Sequence, residues 1–305
     1  MKRYEELLLL KYINGFGKVE VNKRRNLIRM CENQDELICK LFEQGISEEI
    51  INFAKAKAKR EAEEIFADES IKIITIFDMD YPLQLKILGN KAPVVLYTKG
   101  NTELLHGKSI SIIGTRNPSA WTEKVETKIV ENIINDTKAT IVSGLALGCD
   151  RIGHITALNC KGNTVAVLPS GFKNIAPSSN SKLAYEIIEN GGCLITEYMP
   201  GEIPQKYTYL ERDCIVAALS KALLIMECDE NSGTMHTANE GRKLNKRIAC
   251  YMPEDINKGN YAGNMKLINE GCDRIDGSES LQKLIEFLNK DSEEIVEESI
   301  SLFEI

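Results

Sequence analysis

Six short apolar runs rich in β-branched residues recur through the last two-thirds of this 305-residue chain, near 109–113, 140–142, 164–168, 193–196, 222–227 and 247–251. Helical patterns fill most of the intervals. Trp121, Val125, Ile129 and Ile133 repeat every four residues and predict one helix face; Leu183, Ile187 and Ile188 mark another. Strands alternating with helices predict a doubly wound, mostly parallel α/β sheet with helices on both faces, because each parallel pair needs a crossover long enough to hold a helix. Sheets of this kind bind ligands at the carboxyl ends of their strands. The loops that follow the apolar runs therefore carry the question of function.

The first loop is Gly114-Thr115-Arg116-Asn117-Pro118, after Ile110 to Ile113 and before a helical pattern that starts near Ala120. Strand, glycine turn and helix start offer bare N–H groups and a positive helix end to a phosphate. The plainer reading is that Gly114 only turns the chain. The second loop is Ser143-Gly144-Leu145-Ala146-Leu147-Gly148-Cys149-Asp150. Gly144 and Gly148 permit close backbone approach, and Asp150 is placed to cap the next helix. His154, on that helix, reads as a structural residue before a catalytic one. In the third loop, Ser170-Gly171-Phe172-Lys173, Phe172 suits a stacked base and Lys173 a phosphate. An exposed turn over a buried Phe172 explains the same residues. The fourth, Asn231-Ser232-Gly233-Thr234-Met235-His236-Thr237, opens a helix, and Thr237 with Glu240 fits a capping box.

Several motifs are missing. No G-x-G-x-x-G follows a strand, and there is neither a Walker lysine motif nor H-E-x-x-H. His106, His154 and His236 form no metal spacing, and no nucleophile–base arrangement stands out. No cofactor, metal or catalytic residue is expected.

Residues 1–65 predict a small helical domain. Leu7, Leu10 and Ile13 share a face, Gly15-Phe16-Gly17-Lys18 interrupts it, and a second helix runs through Val21, Leu27, Ile28 and Cys31. Helix, Gly-x-Gly, helix resembles a helix-hairpin-helix element whose backbone can touch a nucleic-acid phosphate; a tight interhelix turn is the plainer and favoured reading. The run Lys55-Ala56-Lys57-Ala58-Lys59-Arg60 reads as a solvated helix face. Residues 66–107 read as a linker region with strands at 71–76 and 94–97 that joins the sheet. Residues 108–290 read as the ligand-binding domain and 291–305 as an acidic tail, a loose helix or disordered.

The net charge of -7 is uneven: residues 1–60 carry +4, residues 291–305 carry -6, and -5 is left for the middle. A middle of this sign disfavours indiscriminate duplex binding, which needs a broad positive face, and leaves room for a narrow basic groove. The nine cysteines are an odd number with no C-x-x-C pair, as expected of reduced cytosolic thiols. Leu7 to Leu10 is too short for a signal core or a membrane span, so a cytoplasmic protein is expected.

Taken together, the loops resemble those of the DNA-processing protein A (DprA/Smf) family. Gly114-Thr115-Arg116 is similar to its Gly-Ser/Thr-Arg loop. Ser143-Gly144-Leu145-Ala146 with Gly148, Asp150 and His154 resembles its second loop, and Val167-Leu168-x-Ser170-Gly171 with Pro177 and Asn180 its third. Ile195-Thr196-Glu197-Tyr198 through Pro200-Gly201, and Ser232-Gly233-Thr234 with Thr237-Ala238, fit two later runs. Asp78-x-Asp80-Tyr81-Pro82 and Val95-Leu96-Tyr97-x-x-Gly100 are similar to upstream motifs, so the likeness spans nearly residues 5–285.

The resemblance implies a helical N-terminal domain followed by an extended Rossmann-like domain. It implies no enzymatic activity, single-stranded DNA as ligand, self-association as a homodimer, and help in loading a RecA-type recombinase in natural transformation. Carried over residue by residue, Gly114, Thr115, Arg116, Ser143, Gly144, Leu145, Ala146, Ser170, Gly171, Phe172, Lys173, Lys206, Arg212, Ser232, Gly233 and Thr234 would meet DNA or its phosphates. One segment departs. The family's Pro-x-Arg-Asn-Arg-Ile-Ile reads here as Leu210-Glu211-Arg212-Asp213-Cys214-Ile215-Val216, so an Asn becomes Asp213 and an Arg becomes Cys214. A weakened basic segment keeps open a sensor of a free nucleotide or nucleotide-derived signal. A nucleotide phosphoribohydrolase is disfavoured because Glu230-Asn231-Ser232-Gly233-Thr234-x-x-Thr237 lacks that family's paired glycines and its Glu.

Overall fold

The computed structural model describes residues 3–13 and 16–290. Gly15 of the anticipated Gly-x-Gly turn and the whole acidic tail lie outside the described residues.

Five helices come first: α1 (Tyr4–Tyr12), α2 (Lys18–Lys23), α3 (Arg25–Met30), α4 (Gln34–Glu43) and α5 (Glu48–Phe66). Leu7, Leu8, Leu9 and Leu10 are all buried, so α1 is covered well beyond a single stripe, with Glu5 left exposed. The single second helix expected from Val21 to Cys31 is two, broken at Arg24. Ser47 caps α5 by accepting the Ile50 N–H. Along α5, Ala54, Ala58 and Ala62 are buried at helical spacing, and the Lys55 to Arg60 cations stay on the solvent side.

The remaining elements build one nine-stranded sheet: β1 (Lys72–Thr75), β2 (Val95–Gly100), β3 (Ser109–Ile113), β4 (Thr140–Ser143), β5 (Thr164–Val167), β6 (Cys193–Thr196), β7 (Ala222–Ile225), β8 (Arg247–Tyr251) and β9 (Asp273–Ile275). Their order is β1-β2-β6-β5-β4-β3-β7-β8-β9. Strands β3 to β9 are parallel, and β1 and β2 extend the β6 edge in antiparallel register. The six anticipated runs are β3 to β8. The sequence pattern missed β9, whose three residues include Asp273 and Arg274 and so show no apolar run.

Helices α6 (Leu83–Lys86), α7 (Ala120–Thr137), α8 (Cys149–Asn159), α9 (Ser181–Glu189), α10 (Lys206–Leu219), α11 (Gly233–Lys243) and α12 (Ala262–Asn269) connect the strands, and α13 (Ser278–Asn289) follows β9. Side chains alternate across the strands. Ile110, Ile112, Ile141 and Leu224 pack on α7, α8 and α13, and Val142, Val165, Val167, Leu223 and Ile225 pack on α10 and α11. The α7 face is not the strict four-residue repeat: Ile129, Val130, Ile133 and Ile134 are buried but Trp121 is 39% exposed. A repeat of four drifts off the 3.6-residue turn, so its first member rotates out.

The N-terminal helices dock on the β2–β6 end through a shared apolar cluster that includes Leu183, Ile187 and Leu194. Polar ties reinforce it. Tyr4 Oη meets Tyr97 Oη at 3.2 Å, and Asn22 Nδ2 donates to the Ala92 carbonyl at 2.8 Å. Lys18 Nζ sits 2.8 Å from Glu197 and 3.3 Å from Glu211, and Lys11 Nζ 3.3 Å from Glu202 and 3.8 Å from Glu61. Burial pushes the Glu61 carboxyl up to about 7, against the pull of Lys11 and with the push of Glu202 and Glu64. An acid whose pKa is higher folded than unfolded binds more protons in the native state between the two values. Glu61 therefore makes the fold lose stability as pH rises from about 4.5 to about 7. In Glu61→Gln that loss should disappear, so thermal melts at pH 5 and pH 8 should differ less than in the unaltered protein. An unchanged difference would show that Glu61 does not titrate in this window.

Candidate functional site

The chain reverses direction of winding between β3 and β7, and the loops leaving these neighbours frame the crevice where doubly wound sheets take ligands. The loops are stitched together. The Thr115 N–H donates to the Glu227 carbonyl at 2.6 Å, and Thr234 Oγ1 donates to the Gly114 carbonyl at 3.0 Å. The buried Glu227 carboxylate accepts from Ser119 N and Oγ at 3.0 and 2.9 Å and from Asn260 N at 2.9 Å. Asn264 fixes the neighbouring strand ends by donating to the Ile225, Met226 and Tyr251 carbonyls. Gly114 is needed for close packing, since a Cβ there would lie 2.5 Å from Cys149 Sγ. Gly148 combines a φ of +71° with the Thr115 carbonyl against it, so no other residue fits.

The loop after β4 turns out to hold an anion of its own. Asp150 is not the cap of α8, whose N-cap is Gly148. Its Oδ2 accepts from the Gly144 and Ala146 N–H groups at 3.0 and 3.2 Å, the amides expected to face a phosphate. Leu145 between them is buried with φ +57°. Burial pushes the Asp150 carboxyl up, opposed by Arg212 and by these two amides. Ser143 Oγ is spent on the Ile112 carbonyl at 2.6 Å.

Arg212 is only 4% exposed, and its Nη1 donates to the carbonyls of Gly144 and Val167. A Cβ at Gly144 would fall onto this guanidinium. The expected phosphate contact of Arg212 is thus replaced by an internal one. His154 is buried, its Nδ1 2.7 Å from Thr164 Oγ1, and burial lowers it to about 3; it is structural.

The third loop also departs from expectation. Phe172 is 8% exposed and belongs to the core cluster under the N-terminal helices, with Lys99 Nζ 5.4 Å from its ring. It is a core residue and no platform for a base. Lys173 is exposed but pairs with Glu64 at 2.6 Å. Ser170 Oγ donates to the Asn174 carbonyl, and Gly171 is pressed against the Met199–Pro200 backbone.

The exposed groups lie elsewhere on this edge. Arg116 is exposed, makes no ion pair among the described residues, and rests 5.7 Å from the Tyr209 ring centre. Lys206 and Tyr207, at the start of α10, are exposed as well. The start of α11 is open: Ser232 leaves it without a side-chain cap and donates instead to the Asp229 carbonyl at 2.7 Å, and nothing lies within 4 Å of a Cβ on Gly233. Thr237 and Glu240 sit inside α11, which begins at Gly233, so they form no capping box. The sequence reading missed a cluster here. Cys214 of α10 and His236 and Glu240 of α11 place their ligand-type atoms within 4.8 Å of one another. The four-residue step from His236 to Glu240 was the legible half of it; the third member comes from another helix.

The family model for DNA recombination-mediator protein A matches residues 72–289. DNA processing protein DprA of Bacillus subtilis (strain 168) is 31% identical over 217 residues, covering 71% of this chain and 72% of that protein. Its counterpart in Streptococcus pneumoniae (strain ATCC BAA-255 / R6) is 31% identical over 213 residues, 70% and 74% of the two chains. The X-ray structure of DprA from Streptococcus pneumoniae superposes with a TM-score of 0.67 at 25% identity, over 92% of each chain. A structure of DNA processing protein A from Helicobacter pylori, described for its single-stranded DNA binding mode, gives 0.62 at 31% identity over 72% and 97%. The matched span takes in every strand and every loop of the crevice, and the chain belongs to the DNA recombination-mediator protein A family.

Proposed function

We propose that this protein binds single-stranded DNA along the carboxyl edge of its sheet and, as a homodimer, delivers the strand to a RecA-type recombinase during natural transformation or DNA processing. The observation that carries the binding step is Arg116: an exposed guanidinium with no carboxylate partner among the described residues, supported on Tyr209 and linked through Gly114 and Thr234 to the open start of α11. Cation, aromatic and free helix N–H groups are what a strand's phosphates and bases require. The delivery step rests on the family's description as recombination mediators and on the strand-binding Helicobacter pylori relative. The protein acts here as a binding protein and not as a catalyst.

A second reading has support in the same place. An uncapped α11 beside one arginine is compact enough for the phosphate of a free nucleotide.

A fluorescent thymidine oligomer and its duplex, titrated at fixed salt, separate the readings. Preference for the strand supports DNA; equal affinity for both, or mononucleotide binding that no oligomer displaces, removes it.

Arg116→Ala should weaken strand binding and lower the log–log salt slope by about 0.7, one single-strand phosphate contact. Its melting temperature should stay unchanged, because no ion pair is lost. Lys173→Ala, already engaged by Glu64, should alter affinity far less. Equal losses in both variants would place the strand over the third loop instead.

A further inference from the structure

Cys214, His236 and Glu240 sit on the seam between α10 and α11. His236 and Glu240 are four residues apart on α11 and so share a face, with Cys214 facing them from α10. A thiol sulfur, a ring nitrogen and a carboxylate oxygen lie within 4.8 Å of one another. His236 Nε2 is buried and has no hydrogen-bond partner. A buried polar atom left unmet costs free energy that a ligand atom would recover.

We propose that Cys214, His236 and Glu240 bind a divalent transition metal of the zinc class, with three protein ligands and an open fourth position. The donor set selects the ion: thiolate with imidazole favours zinc or cobalt, whereas magnesium and calcium take oxygen shells. Tetrahedral zinc bonds of about 2.3 Å to sulfur and about 2.0 Å to nitrogen put ligand atoms roughly 3.5 Å apart, so the three need to close by about 1 Å.

The charges around the site decide its conditions. Glu240 Oε1 is paired with Lys243 at 2.5 Å, which leaves Oε2 for a metal. Lys91 and Lys18 act on Cys214 and oppose a cation; Asp213, bonded to Thr237 and acting on His236, favours one. The Cys214 sulfur sits 3.3 Å from the Leu210 carbonyl, and burial and Glu240 hold the thiol at about 11. Binding therefore exchanges a proton for the metal: Cys214–SH plus M²⁺ gives Cys214–S⁻–M²⁺ plus H⁺, and affinity rises with pH. The exchange adds one net positive charge beside Asp213. It also ties α10, which carries Arg212, to α11, which carries Thr234. The site does not depend on the strand-binding reading.

The test is titration of the full chain, freed of metal by chelation, with Co²⁺ and then Zn²⁺. One equivalent of Co²⁺ should give a thiolate-to-cobalt charge-transfer band and the strong visible bands of a tetrahedral site. Zn²⁺ should bleach both, release about one proton per metal, and raise the melting temperature by about 5 °C at saturation. Cys214→Ser should abolish the charge-transfer band and weaken Zn²⁺ binding by more than about 100-fold, beyond the loss of an outer partner. Glu240→Gln should weaken binding with the charge-transfer band retained, which keeps the test decisive if the serine variant is unstable. The double change Cys39→Ser and Cys272→Ser, at thiols outside the cluster, should leave every signal as it was. Absence of saturable binding at micromolar Zn²⁺, or a band that survives Cys214→Ser, overturns the proposal.

Discussion

A guanidinium taken out of water needs acceptors for its N–H groups, and Arg212 Nη1 finds them in the carbonyls that end β4 and β5. Asp213 lies 2.9 Å from Nε and Asp150 opposes its charge from below, with Asp150 in turn holding the Gly144 and Ala146 amides. This knot fixes α10, two strand ends and the start of α8 relative to one another. Losing one partner of such a buried set costs about 3–5 kcal/mol, because the charge left behind has nowhere to go. The bare glycine at position 144 follows from the same demand: only the absence of a Cβ lets the guanidinium lie flat on the backbone.

The consequence for recognition is that the centre of the edge is already neutralised. The loop after β4 has its own carboxylate, the loop after β5 is turned into the core with Phe172, and Glu227 ties the loop after β3 to Asn260. What faces solvent is the margin, with Arg116 on Tyr209, Lys206 and Tyr207 on the first turn of α10, and the uncapped start of α11. On the proposed reading a ligand lies along this rim, at the mouth of the crevice. Such a rim suits an extended strand, whose phosphates repeat along a line, and its rigidity comes from the buried knot beneath it.

Much of the fold was legible because parallel strands buried on both faces are written as apolar runs, and β3 to β8 fall where those runs lie. The Lys55 to Arg60 face and the structural part of His154 were legible for the same reason, from spacing and type alone. The strand β9 was not, since Asp273 and Arg274 show no apolar pattern. The break at Arg24 was invisible because no residue there forbids a helix. At the site, the glycine turns were readable and the partners of their amides were not. Whether a loop's N–H groups wait for a phosphate or already hold Asp150 depends on a side chain whose direction is set by tertiary packing. Arg212 and Phe172 show the same limit: a sequence gives their chemistry, and burial decides which way it is spent.

The charge of the molecule sharpens this distinction. With -7 overall, the chain gains little from long-range attraction to nucleic acid, so any affinity must come from short-range contacts at the rim. Acidic groups line the same edge: Glu197 and Glu211 hold Lys18, and Glu202 shares Lys11 with Glu61. Glu197, Glu211 and Glu202 engage Lys18 and Lys11 and so dock those helices onto the sheet, while Glu61 of α5 shares Lys11 within the helical domain. The +4 of the first sixty residues is thus partly spent on assembly rather than on a ligand. Among the described residues Arg116 and Lys206 stand outside these ion pairs, so on the proposed reading they carry the contacts to a strand.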